Sequence, residues 1–168
     1  MQRGKDGKQM NRVTLISVGT LKENYWKEAV AEYRKRLGAF CRFEEVNLRE
    51  ENIREEDNPA AVRDALEAEG ERILRAIPEG AFTVALCVEG RSCDSPTLAR
   101  LLGEGCDRCG RAVFIIGSSH GLSPVVKERA DLRLSVSALT FPHQLMRPLL
   151  MEAIYRSFSI LAGKKYHK

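Results

Sequence analysis

The chain has 168 residues, of which 43% are hydrophobic and 30% charged, with a formal net charge of +4. That length suits one hydrophobic core rather than two domains, and no apolar run approaches the roughly 20 residues a bilayer demands, so the composition excludes a membrane-spanning helix and points to a globular cytoplasmic protein. The small positive charge names no nucleic-acid partner by itself, although cations gather late in the chain at Arg147, Arg156, Lys164, Lys165 and Lys168.

The opening MQRGKDGKQ is basic and polar with no apolar segment, unlike a signal peptide or anchor. Residues 1–9 read as a disordered extension, with Met10 an alternative start, and residues 10–168 as a single domain. Arg12 to Val18 (RVTLISV) is β-branched and ends at Gly19, which predicts a first strand. Trp26, Val30, Tyr33 and Leu37 then recur at helical spacing within a helix from Glu23 to Leu37. Cys41 to Leu48 reads as strand two, and the charged stretch from Arg49 to Asp57 as a mobile loop. Asn58-Pro59 caps a second helix reaching about Ile77, where Pro78-Glu79-Gly80 stops it.

Thr83 to Val88 (TVALCV) is a continuous apolar run, the pattern of a strand covered on both faces, closed by Gly90. Ser95-Pro96 supplies a cap and a first-turn proline for a helix to about Leu102, and Ala112 to Ile116 is another buried strand. Ser123-Pro124 starts a short helix, Leu132 to Val136 is the last strand, and a helix from about Pro142 to Leu161 ends the chain. Strands alternating with helices define an α/β fold with a mostly parallel sheet and a ligand site beyond the strands' carboxyl ends.

Five cysteines, Cys41, Cys87, Cys93, Cys106 and Cys109, form an odd set that reads as reduced thiols. Cys106-x-x-Cys109 has no second ligand pair to complete a structural zinc site, so no metal is expected.

Three strand ends carry glycine or hydroxyl residues: Leu86 to Gly90 (LCVEG), Ile116 to Leu122 (IGSSHGL) and Val136 to Pro142 (VSALTFP). None is a GxGxxG fingerprint or a Walker loop, which disfavours ordinary dinucleotide and nucleoside-triphosphate enzymes. The segments FIIG at 114–117, HGLS at 120–123 and LSVSALTFPHQL at 134–145 resemble, in order and spacing, those of the RlmH (YbeA-like) branch of the SPOUT methyltransferases. Arg147, Leu150, Glu152, Tyr155-Arg156, Ile160, Gly163 and the terminal Tyr166-His167-Lys168 extend the resemblance, which covers the chain from Met10 onward. Three positions depart from that family's pattern: Ser118 stands for a second glycine, Cys87 for a common aspartate, and Pro148 interrupts the final helix's early turns, where a late start or a kink is expected.

The resemblance implies a SPOUT-type α/β fold with a C-terminal trefoil knot, an exception to the rule against threading. It implies S-adenosylmethionine held largely by backbone of Leu86, Gly117, Val136, Ser137, Ala138, Leu139, Thr140 and Phe141, with glycine at 117 admitting close approach and short side chains at 137 and 138 leaving room for adenine. The implied acceptor is N3 of a pseudouridine in 23S ribosomal RNA, on the ribosome. Methyl transfer is an in-line displacement needing alignment, and the N3 proton needs an acceptor or a stabiliser of the anion. His143, Arg156 and His167 are the catalytic candidates, although His143 also suits helix capping and Arg156 a surface ion pair. Arg147, Arg156, Tyr166, His167 and Lys168 are the RNA-binding candidates, joining an aromatic stacking group to cations. So small a basic surface implies a homodimer in which one tail completes the partner's site, with Leu149, Leu150, Ile154, Phe158 and Leu161 available to an interface or to the monomer core. The alternatives are a SPOUT enzyme acting on transfer RNA and a non-catalytic ribosome-binding factor.

Overall fold

A computed structural model describes residues 10–166; the expected extension at 1–9, together with His167 and Lys168, lies outside the described residues. In chain order the elements are β1 (Arg12–Val18), α1 (Asn24–Leu37), β2 (Arg42–Leu48), α2 (Pro59–Ala76), β3 (Phe82–Arg91), α3 (Ser95–Cys109), β4 (Arg111–Ile116), α4 (Pro124–Arg129), β5 (Leu132–Leu134) and α5 (His143–Leu161). The strands form one sheet in the order β2-β1-β4-β3-β5, and every pairing is parallel. The strand order reverses between β1 and β4, and at such a point the loops leaving the carboxyl ends diverge and open a crevice.

The period-two alternation of each strand divides the core between the two faces. Val13, Leu15, Val84, Phe114 and Ile116 pack with Val30 and Leu37 of α1, Leu98 and Leu102 of α3, and Leu150, Met151, Ile154 and Phe158 of α5. Ile16, Val18, Ala85, Val113 and Ile115 pack on the other face with Ile73 of α2 and Val126 of α4. Leu150, Ile154 and Phe158 are therefore spent in the monomer core, and Leu161 is the exposed member of the expected interface set, at 49%.

Local chemistry accounts for the helix starts. Asn58 Oδ1 accepts from the backbone N–H of Ala60 at 3.0 Å and of Ala61 at 3.4 Å, with Pro59 as the first helical residue. For α3 the cap is Asp94 rather than Ser95: its carboxylate accepts from Thr97 N at 2.9 Å, a stronger acceptor than a hydroxyl. That helix also passes Leu102 and continues to Cys109. Gly103 and Gly105 look like helix breakers, yet a Cβ on Gly105 would stand 2.3 Å from the Phe82 ring and one on Gly103 3.0 Å from Leu161. Close packing, not a turn, is what these glycines serve.

Two strand ends also differ from expectation. β3 runs on to Arg91 with a register shift, Leu86 and Arg91 both opposing Leu134, and β5 stops at Leu134. Gly90 makes the shift possible, because a Cβ there would sit 2.7 Å from the Leu134 carbonyl carbon. α5 does not start late at Pro148. It begins at His143 with the proline inside it and buried.

Candidate active site

A cleft of about 340 Å³ opens at the carboxyl ends of β3, β4 and β5, within the usual range of small-molecule sites. Leu86 to Glu89 form one wall, Ile116 to Leu122 the second, and Leu134 to Ser137 with Leu139 to Phe141 the third, while His143 and Met146 of α5 close one end. All three glycine- and hydroxyl-bearing loops thus meet in one place. Of the expected cofactor residues, Leu86, Gly117, Val136, Ser137, Leu139, Thr140 and Phe141 line it, and Ala138 is not among the lining residues.

The third wall braces itself. Ser135 Oγ donates to the Ser137 carbonyl at 3.2 Å, and Ser137 Oγ accepts from Leu139 N at 3.0 Å. This turn leaves Leu139 70% and Val136 36% exposed at the cleft, apolar side chains that water gains nothing by touching. Gly117 is required for a reason other than ligand clearance. A Cβ at that position would lie 2.1 Å from the carbonyl oxygen of Gly121, so the tight 117–121 loop exists only without a side chain there. Ser118, the departure from the family pattern, has its own partner: its hydroxyl donates to the buried Glu69 carboxylate at 2.8 Å.

His143 stands at the α5 end of the cleft. Burial pushes its pKa below the ordinary 6.5, the Glu50 carboxylate opposes that shift, and Arg147 and Lys22 reinforce it. The net shift favours the neutral imidazole. Its Nε2 is buried without a hydrogen-bond partner among the described residues.

The remaining candidates lie elsewhere. Arg147 is 2% exposed, and its guanidinium donates to Asn47 Oδ1 at 2.7 Å and to the Gly19 carbonyl at 2.5 Å. An arginine so enclosed ties α5 to the ends of β1 and β2 and has no surface to offer RNA. Arg156 pairs with Glu152 at 2.6 Å and lies 4.7 Å from the centroid of the Tyr166 ring. Tyr166 donates its hydroxyl to Glu152 at 3.1 Å and meets Tyr155 edge-on at 4.9 Å. Burial, aided by the same carboxylate, pushes the Tyr33 phenol up to about 12. From His143 to Arg156 the helix rises about 20 Å at 1.5 Å per residue, so the Arg156 and Tyr166 cluster is remote from the cleft of its own chain.

Several lining residues were not singled out as site residues in the sequence. Lys127 of α4 forms an ion pair with Glu89 across the cleft rim, and His120, Ser119 and Cys87 line the walls. Glu89, Cys87, Ser119 and His120 fall inside loops the sequence marks, but Lys127 carries no local signal. No group of three or more His, Cys, Asp or Glu residues is arranged to hold a metal among the described residues.

A parallel α/β sheet with a cleft assembled from these three loops is the architecture of a SPOUT-type enzyme, and the chain belongs to the SPOUT methyltransferase family. The family model described as "Predicted SPOUT methyltransferase" matches residues 11–167. Within the family the chain is similar to proteins named ribosomal RNA large subunit methyltransferase H. It is 44% identical to that of Bifidobacterium adolescentis over 94% of this chain and 99% of the relative. It is 45% identical to that of Ligilactobacillus salivarius over 93% and 99%. A solved structure described as "Structural insights into the 2-OH methylation of C/U34 on tRNA" shares the fold at 16% identity and a TM-score of 0.51, covering 93% of this chain and all of that one.

Proposed function

We propose that this protein is a cytoplasmic, S-adenosylmethionine-dependent methyltransferase that modifies N3 of a pseudouridine in large-subunit ribosomal RNA, working as a homodimer. The supporting observation is the convergence of the three family-like loops on one cleft of small-molecule size that ends at His143. The kinship to methyltransferases named for the large ribosomal subunit sets the RNA class. The knotted path of the C-terminal segment belongs to the same reading, supported by membership of the family.

The residues present suit the cofactor. The cleft has small or backbone-presenting positions at Gly117, Ser135 and Ser137 and apolar cover from Leu86, Leu139 and Phe141, the mixture that holds an adenosyl group by backbone bonds and dispersion. When bound, the cofactor supplies an electrophilic methyl group on a sulfonium. The chain's own task is to fix the acceptor base in line with it and to exclude water. The N3 proton must leave as the methyl arrives, and a neutral imidazole beside the cleft is the group able to take it.

Distance supports the homodimer in this reading. The Arg156 and Tyr166 cluster is about 20 Å along α5 from His143, too far to serve its own cleft, so it and the adjoining His167 and Lys168 act on the partner's cleft. There a stacking ring and cations receive the unstacked base.

The test is methyl incorporation from labelled cofactor into large ribosomal subunits that lack the modification, beside transfer RNA, with cofactor titration by calorimetry. Incorporation into the large subunit is the expected result. Incorporation into transfer RNA alone would reassign the acceptor, and failure to bind the cofactor would leave a non-catalytic ribosome-binding protein.

A further inference from the structure

The loop after β2 is the one part of the cleft's surroundings that neither the family-like segments nor the mechanism uses, and it is held with unusual care. Glu69 on α2 is only 3% exposed. One carboxylate oxygen accepts from the backbone N–H of Glu51 at 2.9 Å, and the other accepts the Ser118 hydroxyl at 2.8 Å. Arg72, one turn further on, donates to the Arg49 carbonyl at 3.0 Å and pairs with the Glu51 carboxylate at 2.6 Å. The residues on both sides of Glu50 are thus anchored to α2, and the same buried carboxylate anchors the cleft loop after β4. Burying a carboxylate has a cost that only such hydrogen bonds offset.

Glu50 is delivered by this clasp to a defined place. Its Oε1 accepts from the hydroxyl of Ser119, a cleft residue, at 3.4 Å. Its Oε2 stands 3.2 Å from the point where a Cβ on Gly19 would be, and Nε2 of His143 stands 3.4 Å from that same point. Gly19 has φ +88, a conformation natural to glycine. The missing side chain leaves a recess with the carboxylate on one side and the partnerless imidazole nitrogen on the other. Lys22 and Arg147 are the other charged groups that act on this ring, and both disfavour its protonation.

We propose that Glu50 is a positioning residue for the methyl-transfer reaction: its carboxylate, facing Nε2 of His143 across the Gly19 recess, favours by its charge the tautomer that carries the hydrogen on Nε2 and leaves Nδ1 free to accept the acceptor base's proton. A carboxylate behind a histidine does two things at once. It selects which ring nitrogen carries the hydrogen, and it stabilises the imidazolium formed when the proton arrives. The proton balance is simple: N3 loses its proton to Nδ1 as its bond to the methyl forms, and the imidazolium then releases it to solvent. This inference rests on the proposed function.

The experiment compares the full-length protein with Glu50→Gln, which removes the charge at a partly exposed position and keeps the shape. In the parent, nitrogen-15 spectra assigned with His143→Gln should show His143 protonated on Nε2 when neutral. In Glu50→Gln the His143 titration midpoint should move to lower pH, because the one charge favouring protonation is gone. The acid limb of the rate profile should move the same way, with kcat reduced about tenfold, less than the 10²–10⁴ of a directly acting group. The KM for cofactor should stay unchanged. A parent ring protonated on Nδ1, or a variant whose titration and rate profile match the parent's, overturns the proposal. If the parent transfers no methyl to large-subunit RNA, the functional reading fails, while the spectra still decide whether Glu50 governs His143.

Discussion

The Arg147 guanidinium donates to Asn47 Oδ1 at 2.7 Å across 100 residues of sequence. It thereby joins α5 to β2, and a second bond to the Gly19 carbonyl joins α5 to the end of β1. Arg147→Ala leaves the Gly19 carbonyl without its donor in a buried setting and frees Asn47 at the surface, and the expected loss of stability is about 2 kcal/mol. Chemical denaturation measures it. Because Gly19 floors the recess beside His143, the variant should also transfer methyl groups more slowly than its stability accounts for. A variant as stable as the parent would show that the arginine is not structural.

Gly117→Ala should weaken S-adenosylmethionine binding by at least about tenfold. The new methyl would meet the Gly121 carbonyl oxygen at 2.1 Å, so the loop must open before any ligand arrives. Calorimetric titration reads the change. Affinity equal to the parent's would show that the loop tolerates another shape or does not touch the cofactor.

Deleting residues 166–168 should reduce methyl transfer by about 10² or more while cofactor affinity stays within about twofold. Tyr166 rests on Glu152, Tyr155 and Arg156, away from the cleft, so its loss does not disturb the donor site. Calorimetry, light scattering and transfer to unmodified large subunits on one preparation separate these effects. A fall in cofactor affinity would place the tail over the cleft of its own chain.

The two cysteines of the CxxC pair should behave differently. Cys106 is 2% exposed and belongs to the core beneath α3, whereas Cys109 is only half-buried. Cys106→Ser should cost about 1 kcal/mol by burying a hydroxyl, and Cys109→Ser close to nothing. Thermal unfolding checks this, and zinc that disappears in either variant would restore a metal role.

The parts of the fold legible in the sequence are those governed by local periodicity and caps. β1, α1, α2 and α4 fall within a residue or so of their expected bounds because their signals, such as Asn58-Pro59, act over a few residues. α3 runs past its expected end near Leu102 through Gly103 and Gly105, which answer to Leu161 and Phe82 at a distance. The cleft was legible as loops, since three strand ends carried glycine and hydroxyl residues. Arg147 misled because charge near a basic C-terminus looks like RNA-binding surface, and only the tertiary fold reveals Asn47 and the Gly19 carbonyl waiting for it. Glu50 was hidden in a run of charges with no distinguishing spacing, and its meaning comes from Glu69, which binds its neighbour.

The sheet contains only parallel pairings, so no two adjacent strands are joined by a hairpin, and β1 must wait for β4 almost 100 residues later before it gains its inner neighbour. α5 supplies Leu150, Met151, Ile154 and Phe158 to one face of that sheet, which leaves that face, otherwise covered by α1 and α3, open along one side until this helix is available. Until α5 docks, the nascent chain therefore keeps part of that apolar face exposed. A chain that loses α5 loses Leu150, Met151, Ile154 and Phe158 from that face together, so the helix and the sheet it covers stand or fall as one unit.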